Sequence, residues 1–173
     1  MFPLPFLFLT VVLLFASAND LLFHKIPNWL TYSTMIGGVV YHFHLKGLDG
    51  LLFSVGGISL GMAVLIIPFL MGGMGAGDVK LMGAVGGLLG PKGVLIAFLF
   101  TAMTGGIYAL VLLTLHGYLK EMAKRYVTIL KTFIFTQKFT SISSPEKGEK
   151  PKLRYGIAIA LGTFISVALG IKM

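Results

Sequence analysis

Six acidic residues occur in this chain of 173, and two of them are placed to do chemistry. Asp20 closes one apolar block and Asp78 opens another. If both blocks cross a membrane, the two carboxylates lie at similar depth on one face. Ionisable groups at that depth are costly and point to function. Two carboxylates brought close do not both ionise easily, so one keeps a proton. The neutral one can then act as acid while its ionised partner activates water, and the pair titrates as a unit. This is a route to amide hydrolysis without a metal or a covalent intermediate. Taken singly, each residue has a plainer reading, Asp20 as a helix-end residue and Asp78 as a helix N-cap. The other acids are ordinary: Glu121, Glu146 and Glu149 fall in a long basic stretch, and Leu48-Asp49-Gly50 reads as a turn.

The remaining side chains narrow the chemistry further. There is no cysteine, which removes disulfides, a thiol nucleophile and a thiolate zinc site. Of the histidines at 24, 42, 44 and 116, His42 and His44 are two apart and would point to different faces of a helix. They read as solvated residues at a helix end. No metal site and no cofactor are expected.

The elements that must hold Asp20 and Asp78 are read from composition. Hydrophobic residues make up 56% of the chain, charged residues only 12%, and mean hydropathy is +0.91. Ordinary soluble domains are about 25% charged. The apolar residues come in long blocks, as membrane spans require. The expected fold is all-α: a single polytopic membrane bundle over 1–173 with about six transmembrane helices, near 2–18, 29–45, 51–71, 79–89, 93–115 and 155–171. The first block ends in Ala16-Ser17-Ala18 like a signal peptide, but no Lys or Arg precedes Lys25, so it reads as a retained span. The fourth block is short. Its 79–89 core would rise only about 16 Å against a hydrocarbon layer of about 30 Å. A thinned bilayer or a water-filled cleft would accommodate it.

Orientation follows from the basic residues. Eleven of them (Lys25, Lys80 and the group from Lys120 to Arg154) fall on one side if every block crosses, against three (Lys46, Lys92 and Lys172) on the other. The first side is therefore cytoplasmic and the N-terminus outside. The formal charge of +8 then reflects topology and attraction to anionic lipid of the inner leaflet. It does not suggest nucleic acid, since no stacking aromatics interleave with the lysines. The basic loop at 116–154 begins as an amphipathic helix, with Leu119, Met122, Tyr126, Ile129, Leu130 and Phe133 at helical spacing, and ends as a Ser-, Pro- and Gly-containing linker.

The surroundings of the two aspartates carry the sharper signal. Asp78 follows Gly72-Gly73-Met74-Gly75-Ala76-Gly77, where missing side chains allow a bend and close approach of another chain. Asp20 begins Asp20-Leu21-Leu22-Phe23-His24-Lys25-Ile26-Pro27-Asn28-Trp29-Leu30-Thr31, where Pro27 and Asn28 break one span and start the next. Gly75-Ala76-Gly77-Asp78 resembles the Gly-x-Gly-Asp motif of membrane aspartyl proteases. The acid followed by a basic residue and Ile-Pro-Asn-x-Leu-Thr resembles the first-aspartate loop of type IV prepilin peptidases. Tyr155-Gly156-Ile157-Ala158-Ile159-Ala160 is similar to that family's closing motif, with Arg154 in place of proline.

The resemblance implies a membrane aspartyl endopeptidase. It would remove the short basic leader of a prepilin-like or preflagellin-like substrate at the cytoplasmic boundary of the inner membrane, with Asp20 and Asp78 as the catalytic pair. Without the cysteine-rich domain of larger members, N-methylation is not expected, and the chain is most similar to the short type serving tight-adherence (Flp) pili or archaeal preflagellins. Gly75 and Gly77 read as backbone determinants of the site. Lys80 could tune Asp78 by charge or simply sit beside the membrane surface. His24 and Asn28 could line the cleft or simply end helices. Two other classes fit parts of the pattern. A small transporter or channel would also use a broken, carboxylate-bearing helix, and a non-catalytic pilus-assembly scaffold would need neither aspartate.

Overall fold

The computed structural model describes residues 4–70, 73–115 and 155–169. Every regular element among them is a helix: α1 (Leu4–Phe23), α2 (Asn28–Lys46), α3 (Leu48–Leu70), α4 (Ala76–Leu115) and α5 (Tyr155–Ala168). The chain divides into two compact units. One comprises Met1–Gly106 with Leu153–Met173, and the other Ile107–Lys152. Of the second unit only the helical stretch 107–115 is described, so the expected amphipathic helix and linker of the basic loop lie outside the described residues.

The helix ends follow from local chemistry. α1 runs past the expected boundary and closes where His24 takes φ 52°, with its N–H donating to Asp20 O at 3.1 Å. Pro27, extended at φ −63° and ψ 131°, caps α2. Gly47 alone joins α2 to α3. At φ 57° it donates its N–H to Phe43 O at 2.8 Å, an ending that favours glycine. The Leu48-Asp49-Gly50 turn expected from sequence is therefore helix. Asp49 lies in the first turn of α3, where negative charge suits the helix dipole.

α4 is broken at Gly90, whose φ of 73° and ψ of −177° interrupt the helix. The break separates an arm at 76–89 from one beginning at Pro91, close to the boundary expected between the fourth and fifth blocks. Proline removes the amide that would have served Gly87 O, and the turn at Gly90 deprives Leu88 O. Both carbonyls find side chains instead. Ser54 Oγ of α3 donates to Gly87 O at 2.7 Å, and His42 Nε2 of α2 lies 3.0 Å from Leu88 O. His42 is thus half-buried and bonded to backbone, not the solvated helix-end residue its spacing suggested.

The first arm of α4 is the centre of the bundle. Every residue from Leu81 to Gly90 is buried. Its neighbours approach through glycine. A Cβ on Gly57 would collide with the Gly86 carbonyl, one on Gly86 with the Gly57 carbonyl, and one on Gly38 would stand 2.8 Å from Gly87 O. Small residues allow such backbone proximity between helices in membranes. This also explains the short fourth block. The arm rises about 21 Å over its length, but hydrophobic mismatch acts on surface that meets lipid, and this arm has almost none.

The outside is the reverse of a water-soluble surface. Leu7, Phe8, Val11, Leu14, Ile36, Leu52, Ile67, Leu99 and Ile107 are among many large apolar side chains left exposed, while Thr31, Thr34, Ser54, Thr101, Thr163 and Ser166 are buried at 2% exposure or less. Leu7, Val11 and Leu14 recur at helical spacing along one face of α1, and soluble monomers rarely expose large contiguous apolar patches. Pro5–Phe23, Leu48–Leu70 and Ala76–Val111 are each long and apolar enough to cross a bilayer. That is three spans against about six expected. The difference turns partly on α4, whose two arms count here as one helix, and on the shorter apolar helix Tyr155–Ala168.

Two substitutions test the central arm. Gly57→Val should cost at least about 3 kcal/mol by forcing backbones apart, and should abolish a monodisperse, cooperatively melting species in detergent. Gly37→Val, on an exposed position with open space around it, should stay within about 0.5 kcal/mol of wild type.

Candidate active site

Asp20 and Asp78 meet at one end of the bundle. Asp20 lies in the last turn of α1 and Asp78 in the first turn of α4. They are only 8% and 7% exposed. What exposure they keep opens on a cavity of about 300 Å³ lined by both, with His24, Lys25, Ile26, Asn28 and the Gly75-Ala76-Gly77 turn. Such a volume admits several waters beside a peptide group, since a water occupies about 30 Å³ of liquid.

Each carboxylate is held by one backbone amide. Gly75 N–H donates to Asp78 Oδ2 at 3.0 Å, while Asp78 N–H donates to Gly75 O at 3.1 Å. Asp78 is therefore not the N-cap itself. It reaches back from the third helical residue, as the acid of a capping box does. Asp20 Oδ2 accepts from Gly156 N–H at 3.0 Å, a contact 136 residues away in the chain, at the start of α5. No protein donor to either Oδ1 is found among the described residues, which leaves one oxygen of each acid for water or a proton.

The glycines divide the work. Gly156 has no room for a side chain, because a Cβ there would stand 2.8 Å from Asp20 Oδ2. Gly77 lets the 24–27 loop close, since its Cβ would stand 3.1 Å from the Cβ of Ile26. Gly75 is different. A Cβ there meets Asp78 Oδ2 at an ordinary 3.5 Å, so this glycine chiefly contributes its amide and an unfilled cavity wall.

The residues singled out in the sequence are thus brought together at one cavity, with Lys80 as the exception. Its ammonium donates to Asn28 Oδ1 at 2.9 Å and lies 5.1 Å from the Tyr32 ring centre. Sequence reasoning did not give Gly156 its role as partner of Asp20, although Tyr155-Gly156 at the head of the last block was the available signal. Among the described residues no group of three or more His, Asp or Glu is placed to hold a metal.

Comparison with known proteins gives one match. The profile of the type IV leader peptidase family matches residues 7–110, more than half of the chain and inclusive of both aspartates. No curated protein and no solved structure matches it. A match to that one profile over more than half of the chain shows that this protein belongs to the type IV leader peptidase family.

Proposed function

We propose that this protein is an aspartyl endopeptidase of the inner membrane that removes the short basic leader of a prepilin-like or preflagellin-like substrate, with Asp20 and Asp78 as its catalytic pair. The observation that carries the reading is the shared cavity, with each acid anchored through one oxygen to a backbone amide and, among the described residues, the other oxygen unclaimed by protein. One aspartate, protonated, would hydrogen-bond the scissile carbonyl, and the other would take a proton from the attacking water. Both anchors are backbone amides at the starts of helices, which hold a carboxylate without adding a side-chain rotamer to order.

The same reading proposes six crossings, with the two arms of α4 and α5 each counted as one, the N-terminus outside and the cavity at the cytoplasmic face. It is supported by the break at Gly90 and by the eleven-to-three bias of basic residues. The basic loop at 116–154 would rest on anionic lipid of the inner leaflet. The apolar helix of the substrate would lie against the exposed apolar flank, placing its leader junction beside the cavity. The transporter reading is not favoured, because the acids lie at helix ends and not at a mid-bundle helix break.

The test uses purified protein in detergent and a substrate with a basic leader, a glycine and an apolar helix, followed by sequencing of the product N-terminus. A single cut after the glycine is expected. Asp20→Asn and Asp78→Asn should each abolish it while melting like wild type, and substantial turnover by either would overturn the assignment. Gly156→Ala, which crowds Asp20, should lower kcat by about 100-fold, the scale of a misplacement near 1 Å.

A further inference from the structure

Lys80 stands two residues beyond Asp78, and its charge invites an electrostatic role. Residues two apart on a helix point to different faces, and the ammonium is engaged elsewhere, on Asn28 Oδ1 at 2.9 Å and over the Tyr32 ring at 5.1 Å. Asn28 is the first residue of α2 and Tyr32 lies one turn further along. The Lys80 side chain therefore ties the start of α2 to the start of α4.

That tie adds a polar link to a cavity wall otherwise held by the packing of Ile26 on the core and on Gly77. The wall at 24–28 is made of exposed residues apart from Ile26 and Pro27, which are half-buried. Ile26 packs closely on Gly77, where a Cβ would stand a tight 3.1 Å from the Ile26 Cβ. Among the described residues, Lys80 to Asn28 is the one side-chain hydrogen bond joining the first turns of α2 and α4. The loop it secures begins four residues after Asp20, and the helix it springs from carries Asp78.

We propose that Lys80, Asn28 and Tyr32 form a clamp that closes the 24–28 wall over the start of α4, so that Lys80 is a positioning residue setting the spacing of the two aspartates rather than a charge acting on either. Arg would serve in its place, as a guanidinium both donates to an amide oxygen and stacks on an aromatic ring. Aspartate would serve for Asn28, keeping the acceptor. The proposal rests on the proteolytic reading given above.

A double-mutant cycle separates the clamp from a charge effect. Lys80→Met and Asn28→Ala should each lower kcat about tenfold with KM little changed, and the double variant should be no worse than either alone, because contacting residues are non-additive. The pH profile of kcat should not move in any of them. Asn28→Asp and Lys80→Arg should retain most activity, and all variants should unfold cooperatively in detergent. Effects that multiply in the double variant would overturn the clamp. So would a pH profile displaced by Lys80→Met but not by Asn28→Ala, which is the signature of a charge acting on the dyad. A wild type that cleaves no leader-bearing substrate would overturn the proteolytic reading first and this proposal with it, whereas a cleaving wild type with independent variants would overturn the clamp alone.

Discussion

The structure depends on a short helix kept away from lipid. The first arm of α4 is buried from Leu81 to Gly90 and packed so closely that glycines meet backbone carbonyls across helix pairs. Backbone polar groups inside a membrane must be satisfied by the protein itself. The arm ends at Gly90 and Pro91 in mid-bundle, so its last carbonyls need partners, and Ser54 and His42 provide them. Because the arm does not meet lipid, its length is free of the bilayer thickness. Its start can therefore stop short, at Asp78, inside the protein and beside a cavity.

The second aspartate reaches the same cavity by a different route. Asp20 is carried by the last turn of a lipid-facing helix and is fixed by the amide of Gly156 at the head of α5. Asp78 is fixed by the amide of Gly75, three residues before it. One acid is held locally and the other by a contact between the two ends of the chain. Both arrangements use backbone, which moves less than a side chain and costs no rotamer entropy to order. The last helix is thus part of the site, with Gly156 admitted only because it lacks a Cβ.

Much of this was legible from sequence. Asp20 and Asp78 stood out because a charge-poor chain placed them at span ends of one polarity, and Gly75-Ala76-Gly77 and Ile26-Pro27-Asn28 marked their surroundings. The division near Gly90 was legible as the boundary between the blocks at 79–89 and 93–115. What was not legible depends on contacts between distant residues. Nothing local says that Gly156 faces Asp20, that Ser54 faces Gly87, or that His42 is committed to the Leu88 carbonyl. Lys80 was ambiguous because a lysine beside a membrane has many uses, and only its distance to Asn28 distinguishes them. The turn expected at Leu48-Asp49-Gly50 failed because Gly47 alone reverses the chain, which moves Asp49 into the helix.

The central claim is that the fold brings residues 20 and 78 to one cavity in the membrane-embedded protein. The chain has no cysteine, so Asp20→Cys with Asp78→Cys offers the most direct measurement, treatment of intact membranes with a short bifunctional thiol reagent and mapping of the linked peptides. The account predicts an intramolecular 20–78 cross-link, and none when Asp20→Cys is paired with Lys92→Cys just beyond the break that ends the central arm. Absence of the 20–78 link, with both thiols shown to be reactive towards a single-headed reagent, would contradict it.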